Sequence, residues 1–404
     1  MLAPELLPVW GGVGTYIVEL VKHLPTDVNI HVVTPMREGF GNDKISPSYY
    51  DFSKYFGGNV KIHFICKASD TFIYNAKFQY ACLKYVPKLI KEERVDLIHS
   101  HTAHMPDLLL MFRKVRKPVI TTVHTTIKSQ RLSTKASATQ FGELERSEKA
   151  TYIVYPALRL AEEVYFKRKR HYITPSNWMK IWLEDNFRIN GNIRVIPNSV
   201  DVNDYESKTC GVLEGLIPEE LKDRRMILYV GRLLAAKGLG TLVEAMPEIL
   251  NGIGKGELLF VFAGPGDRGR YLNKLKKMKV ECCYSFTGPL PREATIQLMM
   301  TAKVVVVPSF HENSPYVVLE SMACGTPVVA SHVGGIPEIV RDGYNGMLVE
   351  PGSPKLLVKA VTELLEDESN RSSIGQHARQ TILSKFSWAA NLNKYLDVYS
   401  EALN

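Results

Sequence analysis

The sequence contains no apolar stretch that approaches the roughly 20 residues a helix needs to cross a bilayer. Its amino terminus lacks the basic and then apolar pattern of a secretory signal. Six cysteines occur among 404 residues, and none stands in a C-x-x-C pair, so no disulfide framework is indicated. These absences together predict a cytoplasmic protein with reduced thiols.

Patterns typical of nucleic-acid binding and of metal sites are missing as well. There is no helix-turn-helix, aromatic RNA-binding signature or zinc-finger spacing, so no nucleic-acid partner is expected. His99, His101 and His104 lie close together, but no carboxylate or cysteine pattern accompanies them and no H-E-x-x-H motif occurs. We therefore expect no bound metal and interpret these histidines as polar residues near a strand end.

The composition is that of an ordinary globular protein, with 45% hydrophobic and 23% charged residues. A chain of this length can form two domains with separate cores. In the first half, β-branched runs alternate with helical patterns, which predicts a doubly wound α/β domain. The predicted strands there are Val28–Thr34, Val60–Cys66, Val95–His101 and Pro118–His124; the predicted helices are Ile73–Glu93, one near Asp107–Lys114 and one ending near Lys169; residues 127–140 are predicted to form a long polar loop.

The net charge of +8 is unevenly distributed. Residues 1–203 hold 28 lysines and arginines against 19 aspartates and glutamates, a balance of +9, whereas the remainder holds 22 against 23, a balance of −1. The basic residues cluster at Arg113–Lys117 and Lys167–Arg170. Such a half suggests an anionic partner, which could be a phospholipid surface, a phosphorylated acceptor or nucleic acid, although no motif supports nucleic acid and solubility alone also explains the charge.

The stretch around residues 303–329 combines a buried strand with two carboxylates. Lys303–Val307 is a short β-branched run, which predicts a parallel strand that ends at Pro308. A loop with Glu312 follows, and then a helix for which Ser314 is the predicted N-cap and Pro315 the first residue. Gly325 and Pro327 are predicted to end this helix.

Apart from Ser321, that helix is apolar, and Glu320 is its only charge. A buried carboxylate must be hydrogen-bonded or paired, and a ribose diol or a neighbouring arginine would each suffice. Glu312 follows a parallel strand, where open α/β sheets bind ligands, although it could equally face solvent.

Glu312 and Glu320, followed by SMACGTPVVAS and GGIPEIVRDGYNGMLVEPG, closely resemble the donor-site signature of the retaining GT-B glycosyltransferases. This large, glycosyltransferase family 4-like group contains sucrose synthase, glycogen synthase and lipid mannosyltransferases. The resemblance implies an α/β fold of two doubly wound Rossmann-like domains facing a deep cleft. It also implies a domain division into an acceptor-side domain 1–203, a nucleotide-sugar donor domain 204–384 and a helix 385–404 that crosses back to the first domain.

The resemblance implies roles for individual residues. Glu312 would face the donor sugar and Glu320 would hold the ribose. Arg232 and Lys237, within GRLLAAKG, would clamp the diphosphate, and His101 would lie beside the sugar. The implied catalytic residues are thus His101, Glu312, Arg232 and Lys237; the implied donor-binding residues are Gly11, Gly12, Arg232, Lys237, Gly264, Leu290, Glu312, Asn313, Ser314, Tyr316, Val317 and Glu320.

Two glycine-rich loops need separate interpretation. GGVG at Gly11–Gly14 precedes a predicted helix, whose amino terminus favours a phosphate or sugar oxygen, although glycines there could simply form a turn. Only Met1–Ala3 remains for the strand that feeds this loop in the family, which predicts a short first strand or a start codon placed a few residues late. Gly264, Gly266 and Gly269 spell G-x-G-x-x-G, but no acidic residue ends the next strand at Thr287, so we predict a nucleotide-edge loop and no NAD.

The implied function is metal-independent, retaining transfer of a hexosyl unit from a nucleotide-diphosphate sugar to a lipid, glycan or small-molecule acceptor, without a cofactor. No D-x-D motif occurs, so Arg232, Lys237 and helix amino termini would meet the leaving-group charge. The basic half would allow peripheral association with the inner face of an anionic membrane. The alternatives are an isomerase like the nucleotide-sugar 2-epimerases and a non-catalytic nucleotide-sugar binding protein.

Overall fold

The chain divides into two compact units. The structure is a computed structural model that describes residues 1–6, 11–37, 39–40, 43–44, 52, 55–68, 71–102, 105–113, 115–137, 141, 144–168, 170–189, 191–206, 215, 217 and 219–404. Unit 1 comprises Met1–Arg131, Arg146–Ser199 and Trp388–Asn404, and unit 2 comprises Leu132–Glu145 and Val200–Ser387. The domain boundaries at residues 203 and 384 stay predictions. His104, Lys114 and Lys169 lie outside the described residues.

Unit 1 is built on parallel strands. Its strands are β1 Ile30–Arg37, β4 Val60–Ala68, β5 Ile98–Thr102, β6 Val119–Val123, β7 His171–Thr174 and β8 Ile193–Val195, with the two-residue hairpin β2 Gly39–Phe40 and β3 Asp43–Lys44. Its helices are α1 Gly12–His23, α2 Thr71–Glu92, α3 Ile127–Ala136 (whose last turn is grouped with unit 2), α4 Arg146–Phe166, α5 Asn177–Phe187 and α13 Trp388–Leu403.

A very short amino-terminal segment completes this sheet. Leu2 forms parallel bridges to Val33 of β1 and to Ser100 of β5, so it joins the β1–β4 pair to the β5–β6–β7–β8 sheet. The resulting order is β4, β1, the Leu2 segment, β5, β6, β7 and β8. Apolar residues such as Leu2, Val33, Phe78 and Leu110 form the core against α2. The predicted strands of this half are therefore confirmed as a doubly wound parallel sheet.

Unit 2 has one six-stranded parallel sheet. Its order is β11-β10-β9-β12-β13-β14, which is the order 3-2-1-4-5-6 of dinucleotide-binding folds. Continuous apolar strands such as β10 and β12 are buried along their whole length, as a sheet covered by helices on both faces requires. The strands are β9 Arg225–Val230, β10 Leu258–Ala263, β11 Tyr284–Gly288, β12 Val304–Val307, β13 Val328–Ser331 and β14 Met347–Val349; the helices are α6 Leu239–Ile253, α7 Gly269–Lys277, α8 Arg292–Thr301, α9 Tyr316–Ala323, α10 Ile336–Ile339, α11 Pro354–Glu366 and α12 Glu368–Thr381.

Two predictions about the first half are wrong. The stretch predicted as a helix near 107–114 contains only a 3-10 helix, Leu109–Phe112, within its described part. Residues 127–136, predicted as a loop, form the helix α3. The Glu162 carboxylate accepts hydrogen bonds from the amides of Ile127 and Lys128, at 2.6 and 3.3 Å, and so caps this otherwise polar helix.

The last helix, α13, packs within unit 1. The Tyr399 hydroxyl lies 2.9 Å from Nδ1 of His99, and the Asn391 amide donates to the Ser199 hydroxyl at 3.0 Å. Trp388 stacks on His23 with ring centroids 4.8 Å apart. The chain thus returns to unit 1 after completing unit 2. In the described part of the chain, no helix is both long and apolar enough to span a membrane.

Two residues of the basic cluster Lys167–Arg170 form ion pairs within unit 1. The Arg170 side chain is 6% exposed and pairs with Asp107 at 2.7 Å, and Arg168 lies 3.8 Å from the same carboxylate. Ser100 and Tyr165 each donate a hydroxyl to Asp107 at 2.6 Å. Burial alone would raise the pKa of Asp107, but the Arg170 guanidinium and these hydroxyls outweigh it and lower that pKa.

We expect Asp107→Asn to destabilise unit 1 by about 3 kcal/mol or more, because Arg170 is left as an unpaired buried cation. The pKa of Asp107 is lower in the folded than in the unfolded protein. The stability that the Asp107 carboxylate contributes is therefore present above the unfolded pKa and is lost as pH falls through the folded pKa. Thermal unfolding between pH 3 and 7 measures both effects. Asp96→Asn is the matched control, because Asp96 is 80% exposed and lies 3.9 Å from Lys117. Equal unfolding profiles for the two variants would contradict the assignment.

Candidate active site

The strand order of unit 2 locates its ligand site. In an open α/β sheet, ligands bind outside the carboxyl ends of the strands where the order reverses, which here is between β9 and β12. The loop after β9 carries Arg232 and Lys237, and the loop after β12 carries Glu312. Three of the residues singled out from the sequence therefore belong to the two loops at this reversal.

Lys237 and Glu312 are brought into direct contact across these loops. The Lys237 ammonium donates to Oε1 of Glu312 at 2.6 Å, and the Ser309 hydroxyl donates to the same oxygen at 2.8 Å. The Glu312 side chain is 11% exposed and that of Lys237 is 34% exposed. The interpretation of Glu312 as a solvated residue is therefore wrong, because its carboxyl group lies in a largely enclosed position beside the Lys237 ammonium.

Glycines allow the loops to approach this closely. A Cβ added at Gly238, whose φ is 69°, would lie 1.8 Å from the carbonyl oxygen of Pro308. A Cβ added at Gly334, whose φ is 55°, would lie 1.7 Å from the carbonyl oxygen of Glu312. The amide of Gly335 also donates to that oxygen at 3.1 Å. The backbone of Glu312 is thus fixed from the side of the 332–335 loop.

We expect Gly334→Ala to displace Glu312 and to lower both stability and activity. The added methyl group overlaps a carbonyl oxygen, and alanine at positive φ adds strain of about 1–3 kcal/mol. Gly240→Ala is the control, because a Cβ there meets nothing within 4 Å and its φ is not positive. Thermal unfolding and steady-state kinetics of the two variants test this, and a Gly334→Ala protein that matches Gly240→Ala in both would refute it.

Arg232 follows a close backbone crossing. The Gly231 amide donates to Ala263 at 2.9 Å, and a Cβ on Gly264 would lie 2.1 Å from the Gly231 carbonyl oxygen. This crossing explains Gly264, whose φ is 141°. The Arg232 side chain is partly exposed and makes no hydrogen bond or ion pair with any residue that the structure describes. Its guanidinium is therefore available to an anionic ligand.

Glu320 lies on α9 and is paired in this structure. Its Oε1 accepts from the Tyr205 hydroxyl at 3.3 Å and lies 3.5 Å from Nε of Arg292. Arg292 in turn donates to the Tyr205 hydroxyl at 2.8 Å and lies 3.6 Å from Asp204. The ion pair with a neighbouring arginine, which was the alternative to a ribose contact for Glu320, is thus present. A ribose would have to share the carboxylate with these groups or displace them.

The start of α9 differs from the sequence expectation. The helix begins at Tyr316 with Pro315 as its N-cap, so Ser314 is not the cap and Pro315 is not the first helical residue. Pro315 has extended backbone, with ψ of 124°, which brings the chain into the helix without a side-chain cap. Gly325, with φ of 72°, follows the C-cap Cys324, as predicted for the helix end. The remaining implied donor residues Leu290, Asn313, Ser314 and Tyr316 are buried and Val317 is half-buried.

His101 and the first glycine loop belong to unit 1. His101 is the fourth residue of β5 and has no exposed surface. Its ring meets Tyr16 edge-on at 5.5 Å, and its Nδ1 lies 3.4 Å from Nε2 of His124. Burial, with His99 and His124 nearby, holds the pKa of His101 well below its usual value, so the ring is neutral. Gly11 is the N-cap of α1, and Gly12 begins it.

Ser309, Tyr205 and Arg292 are site residues that the sequence interpretation missed. Ser309 stands three residues before Glu312, a spacing that could have suggested the contact. Tyr205 and Arg292 are 115 and 28 positions away from Glu320, and no local pattern indicates that they meet. Among the residues that the structure describes, no three histidine, cysteine or acidic side chains converge as metal ligands.

Comparison with known proteins matches both parts of the chain. A model described as Glycosyltransferase Family 4 matches residues 10–204, and one described as Glycosyl transferases group 1 matches residues 217–381. D-inositol 3-phosphate glycosyltransferase of Corynebacterium jeikeium is 33% identical over 221 residues, which cover 52% of each chain. The chain spans about half the length of several curated relatives that it matches.

Solved structures show the same fold over the whole chain. Sucrose-phosphate synthase from Thermosynechococcus elongatus has a TM-score of 0.75 at 21% identity, covering 97% of this chain and 93% of the synthase. HepE from Anabaena, solved in complex with UDP-glucose, has a TM-score of 0.70 at 17% identity and covers 99% of both chains. The two family models match both parts of the chain, and the fold is that of solved GT-B glycosyltransferases. The chain therefore belongs to the family 4-like glycosyltransferases of GT-B fold.

Proposed function

We propose that this protein transfers a hexosyl unit from a nucleotide-diphosphate sugar to a lipid or glycan acceptor, with retention of configuration and without a metal. The observation that carries the proposal is the group formed by Arg232, Lys237 and Glu312 at the strand-order reversal of unit 2. Two cations with one carboxylate fit a ligand that joins a diphosphate to a sugar bearing hydroxyl groups. HepE, of the same fold, was solved with UDP-glucose, which supports a nucleotide-sugar donor.

The cations would act on the leaving group. As the bond from C1 of the sugar to the diphosphate breaks, negative charge grows on the phosphate oxygens, and fixed positive groups stabilise it without reorganisation. Arg232 makes no hydrogen bond or ion pair within the described part of the chain, so its guanidinium can bind the diphosphate directly. Lys237 already contacts Glu312 at 2.6 Å, so it can couple the diphosphate to the sugar-facing carboxylate.

The environment of Glu312 favours attack by the acceptor on the sugar face from which the diphosphate leaves, over a covalent intermediate between sugar and enzyme. A nucleophilic carboxylate has to lie close beneath C1 with its charge available. The Glu312 carboxylate is instead neutralised by Lys237 and hydrogen-bonded by Ser309. Glu320 is proposed to bind the ribose and is therefore not the nucleophile. The acceptor hydroxyl would therefore attack from the face that the diphosphate leaves, within a short-lived ion pair, and pass its proton to a phosphate oxygen.

A ligand-induced thermal shift screen with UDP-, GDP- and ADP-hexoses tests the donor. We expect one nucleotide class to raise the unfolding temperature, because a ligand that binds only the folded state stabilises it. Proton NMR of the product of the stabilising donor then gives the anomeric configuration, and turnover should survive EDTA. Release of free sugar and nucleotide in the absence of any acceptor would favour the 2-epimerase-like isomerase, and stabilisation without turnover of any acceptor would favour a binding protein.

The acceptor proposal is based on charge. The half that in this family binds acceptor has a balance of +9, with 28 basic against 19 acidic residues. Arg113 and Arg116 are exposed, as a basic patch that approaches a phosphorylated lipid or an anionic membrane requires, and Lys117 beside them is half-buried. Salt-sensitive association is expected because such attraction falls off within a Debye length of about 10 Å at 0.1 M salt.

A further inference from the structure

Helix α4 presents an apolar face that nothing in the described chain covers. Ile153 and Leu160 are 69% and 63% exposed, and Val164 is exposed as well. Pro156 and Ala157 lie between them and are also exposed. The spacing i, i+3, i+4, i+7 and i+11 places all five on one side of the helix, over a length of about 16 Å.

The opposite face of the same helix explains why this exposure is not a folding defect. Tyr155, Glu162, Tyr165 and Phe166 are all buried against unit 1. Tyr165 donates its hydroxyl to Asp107 at 2.6 Å, which fixes the carboxyl end of the helix to the start of the 107–112 segment. The helix is therefore anchored by one apolar face and leaves a second apolar face in solvent.

The 3-10 helix near this anchor adds an exposed aromatic residue. Phe112 is 75% exposed, the most exposed large hydrophobic residue in the described chain, and Met111 beside it is also exposed. Arg113 and Arg116 follow directly and are exposed. The segment thus presents an apolar tip followed by cations. The combination is typical of groups that sit at the boundary of headgroups and acyl chains.

Helix α2 packs against both this segment and α4, and it carries a lysine stripe. Lys77, Lys84, Lys88 and Lys91 are exposed, and their spacing of 7, 4 and 3 residues places them on one side of the helix. No aspartate or glutamate occurs in α2 before Glu92. Lys84 lies over the ring of the exposed Tyr80, 4.4 Å from its centroid. An apolar stripe and a lysine stripe thus lie on neighbouring helices.

We propose that this surface, the α2–α4 face, docks in the plane of an anionic phospholipid bilayer, with the α4 stripe and Phe112 in the acyl boundary and the α2 lysines on the headgroups. Charge decides the occupant. A second copy of the chain would bring two lysine stripes and two halves of +9 together, which opposes self-association. An anionic lipid surface accepts both the charge and the apolar area. This inference deepens the proposed acceptor side and is independent of the donor chemistry.

Cosedimentation with vesicles tests the docking. The probes are phosphatidylcholine vesicles and vesicles of phosphatidylcholine with phosphatidylglycerol, each at low and high salt. The test variants are the triple change Ile153→Ser, Leu160→Ser and Val164→Ser, and the triple change Lys84→Gln, Lys88→Gln and Lys91→Gln. The control for the serine triple is Ile181→Ser, which changes an exposed apolar residue on α5. The control for the glutamine triple changes three exposed lysines on α7: Lys274→Gln, Lys276→Gln and Lys277→Gln.

We expect the unchanged protein to bind anionic vesicles and to bind less at high salt. The serine triple should lose roughly tenfold or more in partitioning at low salt, because three apolar groups no longer enter the acyl boundary. The lysine triple should lose binding and most of its salt dependence. Both control variants should bind like the unchanged protein.

Three outcomes would overturn the inference. Absence of binding by the unchanged protein rejects the docking. Equal binding by the serine triple and the unchanged protein leaves only electrostatic attraction. Lipid-free dimerisation that the serine triple abolishes makes the stripe an interface between copies. Stabilisation by a nucleoside diphosphate should persist in every variant, so that loss of donor binding is recognised separately as a failure of the proposed function.

Discussion

Replacing Arg232 by alanine should lower kcat/KM by roughly 30- to 1,000-fold, corresponding to a loss of about 2–4 kcal/mol of transition-state stabilisation. The guanidinium makes no hydrogen bond or ion pair with the described residues, so its removal breaks nothing that holds the fold. The loss should therefore appear in catalysis and in diphosphate binding, with an unchanged unfolding temperature. Lys274→Ala, which removes an exposed cation on α7, is the control.

Lys237→Ala should lower kcat/KM to a comparable extent for a different reason. The change removes the ammonium from the proposed diphosphate contact and from Glu312. The Glu312 carboxylate then keeps only the Ser309 hydroxyl among its contacts described above. Steady-state kinetics of the two variants, with the Lys274→Ala control, measure the effect. Activity within threefold of the unchanged enzyme for Arg232→Ala or Lys237→Ala would reject the clamp.

Several strands of the two sheets could be predicted because a buried parallel strand has a distinctive composition. The run VVVV at Val304–Val307 is buried throughout, and a short β-branched run of this kind is typical of such a strand. The order in which strands pair is a property of the whole chain. The meeting of Lys237 with Glu312, 75 positions apart, follows only once β9 and β12 are known to be neighbours.

Polar segments were harder to predict because their partners are distant in sequence. The helix α3 contains few apolar residues, and its first amides are held by Glu162, 35 positions away. Burial raises the pKa of that carboxyl group to about 7 even though the Ile127 and Lys128 amides lower it. In the same way, Arg170 belongs to the basic run Lys167–Arg170, which is typical of an exposed surface. The Arg170 side chain nevertheless pairs with buried Asp107, 63 positions away.

The histidines show the limit of strand-end reasoning. A residue at the carboxyl end of a strand can face a ligand or the neighbouring elements, and the sequence does not distinguish the two. His101 is packed against Tyr16 and has no exposed surface, so contact with a sugar would require these residues to move. Its role beside the donor sugar stays a prediction. The roles of Arg232, Lys237 and Glu312 also stay predictions, although these three residues lie in the loops at the strand-order reversal.

Changing Glu320 and Glu312 one at a time to glutamine should separate nucleotide binding from turnover. Glu320→Gln should weaken binding of free nucleoside diphosphate by roughly 10- to 100-fold. The proposed acceptor of the ribose hydroxyls becomes neutral, and a hydrogen bond to a charged group is worth about 1.5–3 kcal/mol. The Glu320 carboxylate lies near Arg292, so the change also leaves that cation without one of its partners.

Glu312→Gln should act oppositely on the diphosphate. Lys237 loses its carboxylate partner at 2.6 Å, so its ammonium becomes more available and diphosphate affinity should stay equal or rise. Turnover should nevertheless fall on the order of 100- to 1,000-fold, because the carboxylate proposed to face the sugar no longer carries charge. Calorimetry with nucleoside diphosphate and steady-state kinetics, with Glu363→Gln on the exposed side of α11 as control, distinguish the two changes. Equal loss of diphosphate affinity in Glu312→Gln and Glu320→Gln would show that the two carboxylates do not divide the donor between them.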